Sequence, residues 1–264
     1  MKLLDLFCPT PTTSKICPRK SITLPSSLCK PSLRDYFNWD DRGNDDYANR
    51  PVLLDLFAGG GGTAMGYYLA GFRVVGIDLL PQKHYPFEFI QADALTLDIE
   101  FMRSFDAIHA SPPCQKYSMA AQQWRCSGKE YVDLVESTRN KLKEAGRPYV
   151  IENVPGAPLI NPIMLNGTFF GLKVNRRRIF ELSFDFPFIL IPKDPPGHSK
   201  MGRPITERNM ITPVGHFSNV PYAKIQMGID WMTQAELAQA IPPAYTEFIG
   251  LQLRGFLEYN KLIK

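Results

Sequence analysis

After residue 50, apolar runs of strand length alternate with segments of helical periodicity. Strands are predicted near residues 52–57, 72–77, 87–91, 105–109 and 148–152, with 177–191 completing the sheet. Helices are predicted near residues 62–70, 129–145 and 242–260. Strands that alternate with helices are typical of an α/β fold with a mostly parallel sheet.

A glycine-rich loop separates the first predicted strand from the first predicted helix. In Ala58-Gly-Gly-Gly-Gly-Thr and the residues after it, Gly59, Gly61 and Ala64 satisfy the G-x-G-x-x-G/A fingerprint of nucleotide-binding βαβ units. The next predicted strand ends in Asp78, at the separation expected for a carboxylate that binds a ribose. The pattern predicts a site for an adenosine-containing cofactor, and it fits NAD and S-adenosylmethionine equally.

A second loop, Ala110-Ser-Pro-Pro-Cys-Gln-Lys-Tyr-Ser, leaves the predicted strand near 105–109. Its two prolines fix their own φ angles and lack backbone donors, so they stiffen the chain in front of Cys114. Ligands of open α/β sheets bind beyond the carboxyl ends of the strands, which is where Cys114 is expected. Taken alone, Cys114 is either a nucleophile or a buried, inert thiol.

Further blocks follow in a recognisable order. They are Gln91-Ala-Asp-Ala, the Pro-Pro-Cys-Gln loop, Ile151-Glu-Asn-Val-Pro-Gly and Asn175-Arg-Arg-Arg-Ile-Phe. With the glycine loop and Asp78, they resemble the ordered motifs of DNA (cytosine-5)-methyltransferases over roughly residues 51–184 and 228–255. The segments Ile108-His-Ala-Ser-Pro-Pro-Cys-Gln and Ala240-Ile-Pro-Pro-Ala-Tyr are similar to those of the short, phage-encoded members.

The resemblance implies a Rossmann-like catalytic domain that uses S-adenosyl-L-methionine, with a small DNA-recognition subdomain. The positions that match the family's cofactor motifs are Phe57, Ala58, Gly59, Gly60, Gly61, Gly62, Asp78, Leu79, Asp93, Ala94 and Pro113. Asp78 would accept from the ribose hydroxyls, Asp93 from the adenine amino group, and Phe57 would lie against the cofactor. An isolated Asp such as Asp93 is also a frequent helix N-cap.

The family's catalytic positions correspond to Cys114, Glu152, Arg176 and Arg178. The Cys114 thiolate would add to carbon 6 of cytosine, and a partly desolvated Glu152 would donate toward ring nitrogen 3. Arg176 and Arg178 are expected to share one face of a strand and to bind the target nucleotide. A solvated basic edge strand is the alternative. Asn153 is expected to hold the loop rather than the substrate.

Three positions depart from the family pattern. Val174 stands where the family usually has Gln, and Gln239 stands where an Asn helps to close the cofactor site. Asp78 replaces the more frequent Glu, which keeps the charge but shortens its reach.

Composition fits one sizeable α/β core, with 264 residues of which 44% are hydrophobic and 21% charged. No stretch approaches the ~20 apolar residues of a membrane span, and no signal-peptide pattern is present. Five cysteines without C-x-x-C spacing argue against structural zinc and favour a reducing compartment. We therefore expect a cytoplasmic protein that has neither a metal ion nor a membrane anchor.

Positive charge is concentrated in one segment. Residues 173–225 contain nine Lys/Arg and four Asp/Glu, whereas the whole chain has a net charge of +4. This segment is therefore the predicted nucleic-acid face, with residues 185–227 as a short target-recognition segment. A loop of solvated charges is the alternative. The predicted nucleic-acid-binding residues are Gln115, Ser118, Lys193, Lys200, Arg203 and Arg208.

Residues 1–50 do not fit the catalytic pattern. Met1-Lys-Leu-Leu-Asp-Leu-Phe nearly repeats the first predicted strand but lacks the glycines, and residues 9–33 are rich in Ser, Thr and Pro. We expect a peripheral, partly disordered extension. The predicted catalytic domain then comprises residues 51–184 plus 228–264.

Three functions remain open from the sequence. The first is a cytosine-5 methyltransferase that acts on double-stranded DNA. The second is an RNA methyltransferase, because one branch of the family acts on tRNA with the same motifs. The third is a non-catalytic DNA-binding relative, against which the intact Cys114 and Glu152 count.

Overall fold

A computed structural model of the chain describes residues 45–118, 131–185 and 210–262. Its strands are β1 (Val52–Leu56), β2 (Arg73–Asp78), β3 (Glu88–Gln91), β4 (Ala107–Ala110), β5 (Tyr149–Asn153), β6 (Ile163–Leu165) and β7 (Arg178–Leu182). Its helices are α1 (Asp45–Ala48), α2 (Gly62–Leu69), α3 (Ile99–Arg103), α4 (Val135–Ala145), α5 (Val220–Met227), α6 (Gln234–Gln239) and α7 (Pro243–Leu262). A 3₁₀ helix spans Gly167–Phe170. The predicted extension of residues 1–50 lies almost entirely outside these ranges.

The strands form one sheet in the order β3-β2-β1-β4-β5-β7-β6. The first five strands of that order pair in parallel, and β7 runs antiparallel to both of its neighbours. The predicted Rossmann-like α/β fold is confirmed. The strand order reverses between β1 and β4, and open sheets of this kind bind ligands beyond the strand ends at such a switch point.

Most predicted elements are present within one or two residues of their expected bounds. Strand β6 and helices α3, α5 and α6 were missed, because three to eight residues are too few for a clear periodic pattern. In the helix expected over 129–145, residues 131–134 are not helical, and α4 begins at Val135. Asp133 explains the late start, because its side chain accepts from the Val135 amide and bonds the hydroxyl of Tyr117. The strand expected over 177–191 can be compared only as far as residue 185, where this described range ends. Within that range, only β7 (Arg178–Leu182) is a strand.

One face of the sheet carries the main hydrophobic core. Leu54, Val75 and Ile108 point to this face from β1, β2 and β4, and they pack with Met102 of α3 and Leu142 of α4. Side chains alternate along a strand, so the next residues face the opposite side, which α2 and α7 cover. Of the helices in the described ranges, none combines the length and apolarity needed to cross a membrane.

The described part of the predicted recognition segment, residues 210–227, is attached to the catalytic region. Ile211 forms a parallel bridge with Val174, its amide donates to the Lys173 carbonyl at 2.9 Å, and its carbonyl accepts from the Asn175 amide at 2.8 Å. The Gln226 side chain accepts from the Lys173 amide at 3.0 Å. The domain boundaries 185–227 stay a prediction, since residues 186–209 lie outside the described ranges.

Helices α2 and α7 approach each other at a glycine. A Cβ atom added at Gly66 would lie 2.1 Å from Thr246 Oγ1 and 2.2 Å from the Pro243 carbonyl oxygen. The Thr246 hydroxyl donates to the Thr63 carbonyl at 2.8 Å, so the two helices are bonded at this crossing. Because α2 follows the glycine loop directly, this contact fixes the position of the loop.

We therefore expect Gly66→Ala to lower the free energy of unfolding by about 1–3 kcal/mol, the usual result of overpacking. Gly255→Ala is the matched control, because a Cβ atom at this exposed position of α7 meets nothing within 4 Å. In the control, the better helix propensity of Ala should raise stability by about 1 kcal/mol. Urea denaturation followed by circular dichroism measures both changes, and equal effects of the two substitutions would contradict the close approach at Gly66.

Candidate active site

The two loops singled out in the sequence leave adjacent strands at the switch point. The glycine loop follows β1, and the Pro-Pro-Cys loop follows β4. The Ser111 amide donates to the Leu56 carbonyl at 3.2 Å, which joins the two loops where they begin. A ligand on the glycine loop would therefore lie beside the loop that carries Cys114.

Asp78 supports the glycine loop from the end of β2. Its Oδ2 accepts from the Gly59 amide at 3.0 Å, and its Oδ1 accepts from the Leu80 amide at 3.0 Å. Gly61 has a φ of 84°, and a Cβ atom there would lie 2.6 Å from Pro86 Cδ, so both conformation and space require glycine. Beyond Gly59, by contrast, a Cβ atom would meet nothing within 4 Å, so the loop has open space on that side.

The residues predicted to hold the cofactor differ in how exposed they are. Phe57 has a φ of 59°, a strained value for a non-glycine residue that is typical of functional loops. Leu79 is 64% exposed directly after Asp78, whereas Ala94 packs in the hydrophobic core. Asp93 caps no helix; its side chain accepts from the Leu95 amide at 2.9 Å, two residues further on. Ala58, Gly60, Gly62 and Pro113 lie on the two loops at the same edge of the sheet.

The C-terminal region covers the other side of the glycine loop, but through residues other than Gln239, the one that the sequence had indicated. The indole of Trp231 donates to the Gly60 carbonyl at 2.8 Å, and a Cβ atom at Gly60 would lie 3.0 Å from Met232 Cε. A Cβ atom at Gly62 would lie 2.5 Å from the Ile241 carbonyl oxygen. Gln239, at the position of the family's Asn, is exposed at the end of α6.

The Pro-Pro-Cys loop is held by a buried side chain of β5. Asn153 Nδ2 donates to the Pro112 carbonyl at 3.1 Å, so the prediction that Asn153 holds the loop is confirmed. On the far side of Cys114, the amides of Tyr117 and Ser118 donate to the Cys114 carbonyl at 3.0 and 2.9 Å. Cys114 is thus fixed from both directions, and its side chain remains partly accessible.

Glu152 and Arg178 form an ion pair where β5 ends. Arg178 Nε lies 3.0 Å from Glu152 Oε1, and the side chains are 14% and 8% exposed. Burial raises the pKa of Glu152, whereas Arg178, a hydrogen bond from Ser111 and the charge of Arg176 oppose the rise. A carboxyl group with a raised pKa keeps a proton more easily and is suited to donate to a substrate.

The same charges act on the Cys114 thiol. Burial raises the pKa of Cys114, and the negative charge of Glu152 raises it further. The nearby charges of Arg178 and Arg176 lower it. The structure therefore brings together the four residues predicted to be catalytic, and the environment of the thiol favours its neutral form.

Arg176 is buried and bonds the protein itself. Its guanidinium donates from Nη1 to the Pro213 carbonyl at 2.7 Å and from Nη2 to the Ala238 carbonyl at 2.8 Å. Burial and the charge of Arg178 lower the pKa of Arg176 to about 9. The expectation that both arginines share a strand is wrong, because β7 begins at Arg178 and Arg176 lies in the segment before it.

The predicted nucleic-acid contacts are only partly within the described chain. Gln115 is exposed and Ser118 half-buried on the Pro-Pro-Cys loop. Lys193, Lys200, Arg203 and Arg208 lie outside the described residues. In the described ranges, no group of three or more His, Cys, Asp or Glu side chains could hold a metal ion.

Three residues near the site were not predicted. Ser111 hydrogen-bonds the carboxyl group of Glu152, His109 Nε2 lies 2.9 Å from Ser111 Oγ, and Tyr67 Oη lies 2.9 Å from His109 Nδ1. His109 stands in an otherwise apolar strand, and this buried polar position was the signal available in the sequence.

Glu152→Gln should speed the alkylation of Cys114 by iodoacetamide at pH 8, because the loss of a negative charge lowers the thiol pKa. A lower thiol pKa raises the fraction of thiolate, which is the form that iodoacetamide alkylates. Mass spectrometry of the Cys114 peptide measures the rate separately from the other cysteines. Glu100→Gln, which removes an exposed charge on α3, is the control and should leave the rate unchanged. An unchanged rate in Glu152→Gln would mean that the carboxylate does not act on the thiol.

Solved structures show the same fold. A protein described as a DNA modification methyltransferase encoded within an E. coli prophage matches with a TM-score of 0.55 and 15% identity, over 81% of this chain and 100% of its own. A DNMT2 variant of Spodoptera frugiperda matches with a TM-score of 0.51 and 13% identity, over 77% and 99%. At these identities the likeness establishes the fold alone.

Sequence relatives and a family model match the region of the two loops. Type II methyltransferase M.AplI of Arthrospira platensis is 32% identical over 97 residues, and M1.HphI of Haemophilus parahaemolyticus is 29% identical over 130 residues. These alignments cover 35% and 41% of this chain but only 28% and 33% of the relatives. Residues 52–162 match the model of the C-5 cytosine-specific DNA methylases. Over residues 52–162 the chain is therefore similar to the C-5 cytosine-specific DNA methylases.

Proposed function

We propose that this protein transfers a methyl group from S-adenosylmethionine to carbon 5 of cytosine in DNA through a covalent adduct with Cys114. The observation that carries the proposal is the meeting of Cys114, Glu152 and Arg178 at the sheet edge beside the glycine loop. A thiol, a buried carboxyl group and a guanidinium are the three groups that this chemistry needs. A purely DNA-binding relative has no requirement for them.

The cofactor of this family is S-adenosylmethionine, and the residues of the switch point fit it. Gly59 leaves open space above the loop, and the exposed Leu79 offers an apolar surface next to the Asp78 carboxylate. Each Asp78 oxygen accepts one backbone hydrogen bond and retains a lone pair for a ribose hydroxyl. When bound there, the cofactor supplies an electrophilic methyl group.

Cys114 carries the covalent step. Its thiolate forms a bond to carbon 6 of cytosine, and the electron pair of the 5,6 double bond makes carbon 5 nucleophilic. Carbon 5 then takes the methyl group as the methyl–sulfonium bond breaks and the neutral thioether, S-adenosylhomocysteine, leaves. Loss of the carbon-5 proton to water and cleavage of the Sγ–carbon 6 bond regenerate the thiolate and the aromatic ring. The target base must leave the helical stack to reach Cys114.

Glu152 and Arg178 prepare the base for addition. Charge develops on ring nitrogen 3 when the thiolate adds, and a protonated Glu152 donates to that atom. Arg178 holds the carboxyl group through Nε, and its Nη1 donates to the Arg177 carbonyl at 2.8 Å. We assign Nη2 to the carbonyl oxygen of the base. Arg176 supports this pair by its charge, while its hydrogen bonds position the surrounding loops.

Two features favour DNA over RNA as the substrate. The matching family model describes DNA methylases, and the sequence relatives are named Type II methyltransferases. The basic segment 173–225 supplies positive charge for a phosphate backbone, which DNA and RNA share. An RNA substrate is the alternative, and the following experiment separates the two.

Duplex DNA that contains 5-fluorocytosine should trap a covalent complex with the protein in the presence of S-adenosylmethionine, because carbon 5 then has no proton to lose. Cys114→Ser should form no complex and transfer no methyl group, whereas Cys126→Ser is the matched control and should do both. Denaturing gels with labelled cofactor measure trapping and transfer. Labelling of total tRNA instead of DNA would transfer the proposal to RNA, and methylation by Cys114→Ser would overturn the assignment of the nucleophile.

Asp78→Ala should weaken the binding of S-adenosylmethionine by ~1.5–3 kcal/mol, the usual range for a hydrogen bond to a charged group. Asp106→Ala is the matched control, because Asp106 Oδ2 also accepts a backbone bond, from Val52 at 2.7 Å, at the opposite edge of the sheet. Isothermal calorimetry on both variants measures the affinity. Equal losses would show that Asp78 acts through stability, and tight binding of NAD would overturn the cofactor assignment.

A further inference from the structure

A chain of hydrogen bonds runs from the buried face of the sheet to the Glu152 carboxyl group. Tyr67 Oη lies 2.9 Å from His109 Nδ1, and His109 Nε2 lies 2.9 Å from Ser111 Oγ. The Ser111 hydroxyl in turn bonds the side chain of Glu152. Tyr67 and His109 are completely buried, so neither can exchange these partners for water.

The direction of the donors follows from the buried end. Burial and the charge of Asp55 raise the pKa of Tyr67, so its hydroxyl keeps its proton. Burial lowers the pKa of His109 to about 3, so the imidazole is neutral and has one donor and one acceptor. The phenol donates to Nδ1, which leaves the proton of the imidazole on Nε2. Nε2 then donates to Ser111 Oγ, and the Ser111 proton is directed to Glu152.

We propose that Ser111 and His109 are positioning residues for Glu152, and that the Tyr67 hydroxyl fixes the imidazole tautomer that makes Ser111 a permanent donor to the carboxyl group. The proposal rests on the proposed function, in which Glu152 donates to the target base. The carboxyl group accepts one hydrogen bond from Ser111 and is paired with Arg178. These two contacts fix its orientation, so that its own proton faces the substrate.

This series of hydrogen bonds positions the Glu152 carboxyl group and does not conduct protons. A proton wire needs a group at its far end that exchanges with solvent, and Tyr67 is enclosed by Phe72 and the His109 ring, with ring centroids at 5.9 and 5.4 Å. The effect of the chain is therefore a fixed donor. Because a donor stabilises the carboxylate, the hydrogen bond from Ser111 opposes the burial of Glu152.

The pH dependence of Glu152 involves few other groups. Arg178 acts on it from β7, Arg176 from the segment before β7, and Cys114 from the neighbouring loop. His109 of β4 and Tyr67 of α2 are neutral, and they act on Glu152 only through Ser111. A change of the Ser111 donor therefore shifts Glu152 while the charges around it stay in place.

The test is the pH profile of kcat for Ser111→Ala and Tyr67→Phe, measured on the full chain with duplex DNA. Loss of the Ser111 donor raises the pKa of Glu152, so the limb on which Glu152 loses its proton should move to higher pH by about 1 unit. The plateau kcat should fall about tenfold with a small change in KM. Tyr67 acts on Glu152 only through His109 and Ser111. Tyr67→Phe should therefore shift the same limb of the pH profile in the same direction by a smaller amount.

Tyr149→Phe is the matched control, since it also removes a buried tyrosine hydroxyl, one that bonds Glu181 at 3.3 Å. It should lose stability without any shift of the limb. A direct reading in free protein is the ¹³C titration of the Glu152 carboxyl group, identified by its disappearance in Glu152→Gln. An unshifted titration in both Ser111→Ala and Tyr67→Phe would overturn the proposal.

Failure of the proposed function has a different signature. If Glu152→Gln retains full activity, Glu152 has no catalytic role, and the assignment of the general acid fails whatever the Ser111 variant shows. A different result would be an inactive Glu152→Gln together with Ser111→Ala and Tyr67→Phe variants that behave as wild type in kcat and in the ¹³C titration. In that case only the positioning role of Ser111 and His109 fails.

Discussion

Burial of the Glu152 carboxyl group is the constraint on which the arrangement of the site depends. A carboxylate removed from water is costly unless it is paired and hydrogen-bonded. The direction of β7 supplies the pair: because β7 runs antiparallel to β5, its first residue lies beside the last residues of β5, with Asn153 opposite Ile179. Arg178 therefore starts β7 at the edge where Glu152 lies. A parallel strand would begin at the opposite edge and leave the carboxyl group without a cation.

The remaining walls of the site come from parts of the chain that are far apart in sequence. Trp231 bonds the carbonyl of Gly60, 171 residues earlier. Arg176 bonds the carbonyls of Pro213 and Ala238, and the hydroxyl of Tyr245 donates back to the Arg176 carbonyl at 2.8 Å. These carbonyl groups pair the two terminal nitrogens of the buried guanidinium and so avoid the desolvation cost of leaving those donors unpaired, although its buried Nε has no hydrogen-bond partner. The C-terminal region thus covers the glycine loop and holds the segment before β7 in place.

The sequence predicted the parts of this structure that have a local signature. Strands β1, β2, β4 and β5 have continuous apolar runs, and the glycine loop, Cys114 and Glu152 follow them at one edge of a parallel sheet. The role of Asn153 was also predictable, since a polar residue after a buried strand needs a partner. Contacts between distant segments have no such signature, and so the cover of Trp231 and Met232 over Gly60 was missed. The alternation of Arg176 and Arg178 suggested a common strand face, but alternation does not reveal where a strand begins.

Strand β7 is held on both of its faces, which explains how the Glu152–Arg178 pair keeps its geometry. On one face Arg178 pairs with Glu152, and on the other Glu181 pairs with Arg139 of α4 at 2.8 Å. Arg139 also donates to the Pro158 carbonyl at 2.7 Å, and Glu181 accepts from the Ile160 amide at 2.9 Å. This second pair therefore ties β7, α4 and the loop after β5 together. Since a displacement of β7 would move Arg178 away from Glu152, the geometry of the Glu152–Arg178 pair depends on a second ion pair on the opposite face of the strand.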